Sequence, residues 1–276
     1  MKVRIFSGIA LILIFSVLLI AGGPVLLCAL FILNILALFE LYNAMQRSKQ
    51  HQPFRITGMV ASFVLYVCLL LFKEQIWNGH FILYFFTLLM IVLMVLCLVF
   101  YPKRGMVDAA LTVFSIAYVS LLFSYVYLLR TAQNGQFYVW YIFAASWGCD
   151  TCAYFTGYYL GKHKLSPVLS PKKTIEGAVG GVVGSILLCT IYGMIIAGPM
   201  EVDRGVILKV SLLIGLLGSL VAQVGDIFAS SIKRMMKIKD YGNLIPGHGG
   251  ILDRFDSLLL VAPIIVMILE VFKVIG

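Results

Sequence analysis

Charge is what this sequence has least of. Only 12% of its 276 residues are Asp, Glu, Lys or Arg, against about 25% in a soluble globular protein. That shortage excludes a soluble enzyme. Acids are scarcer still, 12 Asp and Glu against 21 Lys and Arg. There is no low-complexity tract, no heptad run and no internal repeat. The missing repeat argues against an inverted-repeat transporter, which carries matching broken segments in both halves. Cysteine is sparse and badly placed for a framework. Cys28, Cys68, Cys97, Cys149, Cys152 and Cys189 all lie in apolar stretches, where neither disulfides nor a zinc site is expected. The Cys149–Cys152 pair has no second pair and no nearby His, and it reads as small-residue packing.

What is abundant is apolar sequence, 62% of the chain. A helical crossing takes about 20 apolar residues, and runs near 5–21, 24–41, 57–72, 81–101, 109–129, 137–160, 177–197, 206–225 and 255–273 predict an all-α integral membrane protein of about nine spans. Lys2 and Arg4 before the first run give it the look of a secretory signal, but no A-x-A site follows it and it is expected to be retained. With the N-terminus in the cytoplasm, sixteen of the 21 basic residues fall on the inside and five on the outside. The positive-inside rule therefore puts the C-terminus outside. This also accounts for the net charge of +9 without a nucleic-acid partner. Residues 1–136 read as a transmembrane scaffold. Residues 137–276, where polar groups enter the spans, read as a catalytic region with its site on the cytoplasmic side.

Ionisable groups within spans are costly and so are functional candidates. Asp150 lies deep in the sixth run, Asp226 ends the eighth, and Asp253 and Asp256 open the ninth. Glu40 and Glu270, near membrane edges, are set aside as snorkelling or loop residues. The densest polar stretch runs from Ser231 to Asp256. A helix continued past the membrane would carry Asp226, Ser230, Lys233 and Lys237 on one face, an arrangement suited to a metal-bound polyphosphate. Gly242, Pro246, Gly247, Gly249 and Gly250 then break regular structure, and glycines let backbone N–H groups approach a ligand. Taken singly, the basic residues could be a membrane anchor, His248 a loop histidine and Asp253 a helix N-cap. Those readings do not explain carboxylates at both membrane-facing ends of a basic, glycine-rich loop.

The stretch resembles the signature of phosphatidate cytidylyltransferases. Ser231, Lys233–Arg234, Lys239–Asp240, Gly242, Pro246, His248–Gly249–Gly250, Asp253–Arg254 and Asp256 all fall in its pattern. Ser170–Gly177 and Asp150–Gly157 resemble the family as well, while the first 136 residues match it only in character. The resemblance implies CTP plus phosphatidic acid giving CDP-diacylglycerol and pyrophosphate at the bacterial cytoplasmic membrane, by a homodimer. It implies Mg²⁺ on Asp226 and Asp253, with Asp256 a third ligand or a partner just outside the set, and a possible second cation. Lys233, Arg234 and Lys239 would bind the phosphates of CTP or the leaving pyrophosphate, with Ser231 alongside. Lys172 and Lys173 would close the site, Arg254 would clamp a phosphate, and His248 with the Gly249–Gly250 backbone would donate to a phosphoryl oxygen. Asp150 is either a further ligand or a partner for one of the lysines. A CDP-alcohol phosphotransferase would need D-G-x-x-A-R followed by D-x-x-x-D, and neither is present.

Overall fold

The computed structural model describes residues 2–47, 51–72, 80–245 and 249–275. Helices dominate it: α1 (Lys2–Ala21), α2 (Gly23–Arg47), α3 (Arg55–Leu71), α4 (His80–Val99), α5 (Met106–Thr131), α6 (Cys149–Leu160), α7 (Ile175–Met200), α8 (Arg204–Met235) and α9 (Leu252–Val271). Each of the nine apolar runs is helical in whole or part. The backbone of a membrane span must satisfy its own polar groups, which a helix does. Among the described residues, α2, α4, α5, α7 and α8 are long and apolar enough to cross a bilayer. The α9 helix is as long as α4 but carries Asp253, Arg254, Asp256 and Glu270. On α4 only Leu89 and Leu93 are buried, and the exposed Leu83, Leu88, Met94, Leu98 and Val99 suit contact with lipid.

The chain divides into two compact units. The first comprises residues 1–127 and 235–254. A polar thread joins three of its helices: Asn34 of α2 donates to Ser62 of α3 (2.5 Å), and Ser120 of α5 donates to the same hydroxyl (3.1 Å). Such contacts hold helices together where lipid supplies no hydrophobic drive. Asp108 caps the start of α5, accepting from Gly105 N–H (3.0 Å) and Gln52 N–H (2.6 Å).

The second unit comprises residues 128–234 and 255–276. Its centre is the contact of α6 with α7, whose buried face repeats a small residue every four: Gly177, Gly181, Ser185, Cys189 and Gly193. A Cβ on Gly177 would stand 2.8 Å from the Ala153 carbonyl and 3.1 Å from Gly157 Cα, so the two backbones meet almost directly, as in small-xxx-small packing. Cys149 is buried on the same face of α6, and all six cysteines are free. Turns of π-helix occur at Ile116–Leu121 in α5, at Ala144–Gly148 before α6, and at Ile214–Gly218 in α8.

One element departs from an all-helical expectation. Strands β1 (Lys164–Ser166) and β2 (Ser170–Thr174) form an antiparallel hairpin, pairing Lys164 with Thr174 and Ser166 with Ser170. Thr174 then caps α7, its hydroxyl accepting from Gly177 N–H (3.2 Å). Glu176 in the first turn of α7 ties down the other end of the hairpin. It accepts from the N–H groups of Lys162 (3.1 Å) and His163 (3.2 Å) and meets the His163 ring at 2.6 Å.

Candidate active site

In the second unit, the hairpin, α6, α7 and α8 surround a cavity of about 500 Å³. Its polar groups are Asp150 from α6, Lys172 and Lys173 from β2, and Gln223 and Asp226 from α8, with Tyr154 and Tyr158 on the wall. The volume lies within the usual range for a ligand pocket. Lys173 forms an ion pair with Asp226, and both side chains are about three-quarters buried. Gln223 is oriented by the Ala178 carbonyl (3.1 Å). Asp256, on α9, is buried and within electrostatic range of Asp226, Lys233 and Asp150. Its Oδ1 accepts from Ser257 N–H (2.8 Å), and the Ser257 hydroxyl reaches toward Asp150 (3.5 Å). Asp150, Asp226 and Asp256 with Lys173 and Lys233 thus make one mixed-charge cluster. Lys233 and Arg234 occupy the last turn of α8, where the helix dipole favours cations.

Not every residue singled out from the sequence lies in this cluster. The helix expected to run on past the membrane stops at Met235, and Lys237 takes a left-handed conformation at φ 54°. A residue with positive φ ends a helix, so the shared face of Asp226, Ser230 and Lys233 does not extend to Lys237. Ser231 donates to its own helix at the Phe228 carbonyl (2.7 Å), and Lys239 is exposed in the loop beyond. His248, with Pro246 and Gly247, lies outside the described residues.

The glycine-rich loop is organised within the first unit. Ile245 N–H donates to the Gly249 carbonyl (2.9 Å). Gly249 adopts φ +85°, and a Cβ there would stand 3.0 Å from Asp253 Oδ2. The positive φ calls for glycine, and the nearby carboxylate leaves little room for a side chain. Asp253 is buried, and its Oδ2 accepts from Tyr241 N–H (2.8 Å) and Gly250 N–H (3.0 Å). The Gly250 amide, expected to face a phosphoryl oxygen, is therefore given to Asp253. Arg254 is partly buried, and its Nε finds no acceptor among the described residues.

Sequence reasoning passed over Glu40. This carboxylate on α2 accepts from Ile251 N–H (3.0 Å) and Leu252 N–H (2.9 Å), two of the amides that the start of α9 leaves without helical partners. A lone acid at a membrane edge gives no local sign of partners more than two hundred residues away. Glu176 was also missed, although its place at the head of α7, just after the lysine pair, is a usable signal.

Asp150 and Asp226 bring to the cavity the carboxylate oxygens that a hard divalent cation takes, while the Lys173 ammonium occupies Asp226 and would have to give way to such an ion. Among the described residues no three His, Cys, Asp or Glu side chains converge on one point as they stand.

By class this is a multi-pass helical membrane protein that assembles carboxylates and lysines beside a cavity sized for a ligand. The chain belongs to the cytidylyltransferase family, whose model matches residues 2–272, and the resemblance read from the signature is borne out. It is 35% identical over 269 residues to a phosphatidate cytidylyltransferase of Staphylococcus haemolyticus, covering 98% of this chain and 99% of the relative. Relatives with the same name from Staphylococcus epidermidis (36% over 269 residues) and Staphylococcus aureus (35% over 271) are matched over the same shares of both chains. The chain is a nucleotidyltransferase.

Proposed function

We propose that this protein transfers CMP from CTP to phosphatidic acid, forming CDP-diacylglycerol and pyrophosphate in phospholipid biosynthesis. The observation that carries the reading is the cavity holding Asp150, Lys172, Lys173 and Asp226, in a chain whose full-length relatives bear that activity in their name. An oxygen of the lipid phosphate attacks the α-phosphorus of CTP, and the bond to the β-phosphate bridging oxygen breaks as pyrophosphate leaves. A phosphate monoester has a second pKa of about 6, so the attacking group is largely dianionic at neutral pH. The protein has no strong base to supply, and its task is to position two anions and offset their repulsion.

Lys172 and Lys173 enter the cavity on a strand pinned at both ends, and they take the phosphates as the anionic ligand draws Lys173 from Asp226. Lys233, Arg234 and Lys239 bind the triphosphate or the leaving pyrophosphate, with Ser231 alongside. Arg254 clamps a phosphate through its fork of donors, and His248 donates to a phosphoryl oxygen. Asp226, Asp253 and Asp256 would hold Mg²⁺, and a second cation would sit beside it. Support for this comes from the electrostatic proximity of Asp226 to Asp256 and from the spacing of Asp253 and Asp256, one turn apart on α9. When bound, the metal would neutralise charge on the phosphates and orient them. Asp150 lines the same cavity as Lys172 and Lys173 and is either a further ligand or a charge partner for one of these lysines.

The reading extends to the whole chain. Nine spans run from a cytoplasmic N-terminus to an external C-terminus in a bacterial cytoplasmic membrane. Residues 1–136 form the scaffold, residues 137–276 form the catalytic region, and the protein assembles as a homodimer. The site faces the cytoplasm, where CTP arrives, while phosphatidate enters from the leaflet.

The test is incorporation of labelled CTP into extractable lipid by the purified, detergent-solubilised protein, with and without phosphatidic acid and Mg²⁺. Label is expected in lipid only when both are present. Transfer to a different lipid acceptor would change the substrate, and binding of CTP without any transfer would overturn the assignment.

A further inference from the structure

We infer that Glu40, on the helix α2 of the scaffold half, is a positioning residue for the reaction, holding the signature loop where it enters α9. The inference rests on the function proposed above. Glu40 is only 7% exposed, and a carboxylate buried so deeply at a membrane edge needs compensation. It receives that from the two consecutive amides of Ile251 and Leu252, one to each oxygen. The loop is shaped to admit it. A Cβ on Gly242 or on Gly250 would overlap the Glu40 carboxylate, so two glycines of the signature stand open where this side chain enters. Asp253 accepts from the amides of Tyr241 and Gly250. Two carboxylates, one distant in sequence and one within the signature, thus hold four loop amides. The order of the chain that leads into Asp253 and Arg254 depends on both.

The Glu40 anchor acts through the loop and touches no reacting atom. Its loss is expected to lower turnover and disturb the metal dependence of the reaction while the remaining core stays folded. Glu40→Gln keeps the volume and one acceptor but turns an N–H₂ toward an amide donor. It should cut kcat at least tenfold, raise the Mg²⁺ concentration needed for half-maximal rate, and increase hydrogen exchange at residues 241 and 250–252. The control is Asn34→Ala, which removes a buried hydrogen bond on the same helix away from the loop. It should leave kcat, the Mg²⁺ dependence and loop exchange near wild type. Gly242→Ala offers a second route, pressing a methyl group on Glu40 from the loop side, and should reproduce the Glu40→Gln pattern if that variant fails to fold.

Wild-type kcat and wild-type loop exchange in Glu40→Gln would overturn the inference. So would an equal fall in kcat in Asn34→Ala with equal loss of thermal stability, because the effect would then be general destabilisation. If the wild-type protein transfers no CMP to phosphatidate, the functional reading fails by itself. Loop exchange in the variants still decides whether Glu40 is the anchor.

Discussion

At the scale of single residues, the Lys173–Asp226 pair is the most informative contact. An ammonium on a carboxylate that is also expected to meet Mg²⁺ makes the lysine and the metal competitors. Replacing Lys173 with Gln should therefore lower the Mg²⁺ concentration for half-maximal activity and at the same time reduce kcat, because a phosphate ligand is lost. A Mg²⁺ titration of the rate separates the two effects, and a raised metal requirement would argue against competition. Asp253 is engaged differently. Its Oδ2 holds two loop amides, so Asp253→Asn removes charge and disturbs the loop together. A loss on the order of a hundredfold or more in CMP transfer is expected, comparable to removing one preorganised electrostatic group from an active site. Asp150→Asn should cost less, since the cavity retains Asp226.

Among the elements, the α6–α7 contact is the tightest constraint. A leucine at Gly181 would force apart helices whose backbones are nearly touching there, with Cys149 O and the Ala153 methyl 3.0 Å from the position of its Cβ. Overpacking commonly costs about 1–3 kcal/mol, and the lowered thermal midpoint in detergent is the measure. Glu176→Ala should leave the helices intact and release the hairpin that carries Lys172 and Lys173. It would be read as a raised KM for CTP with a smaller change in kcat. Much of this level was legible in the sequence. The apolar runs marked the helices because length and composition are local properties, and the unusual density of Lys, Gly and Asp after Ser231 marked the loop. The hairpin was not legible, since Lys-Leu-Ser and Ser-Pro-Lys-Lys-Thr are too short and too polar to show the hydrophobic alternation that reveals a pairing. Nor was the helix stop at Met235, where nothing in Met-Lys-Ile-Lys-Asp announces that Lys237 will take a positive φ. The pairing of Glu40 with Ile251 and Leu252 is a tertiary fact with no local trace.

On the scale of the whole molecule, topology and metal dependence are the matters to measure. Reporters fused at the two ends should place the N-terminus inside and the C-terminus outside, the arrangement in which sixteen basic residues fall inside and five outside. Both ends on the same side would make the number of spans even and rule out nine. Chelation should abolish transfer, and added Mg²⁺ should restore it without refolding. The buried carboxylate of Glu40 has one more implication, and it concerns time. Its amide partners lie 211 and 212 positions later in the chain, and translation proceeds at about 5–20 residues per second. The ribosome therefore delivers the acid roughly 10–40 s before the amides that will bind it. For that interval the second helix enters the bilayer as a provisional span, its most polar buried group still without its lasting partners. A chain terminated before Ile251 would prolong that condition indefinitely. Nonsense mutations late in the gene should thus weaken the beginning of the protein as well as remove its end.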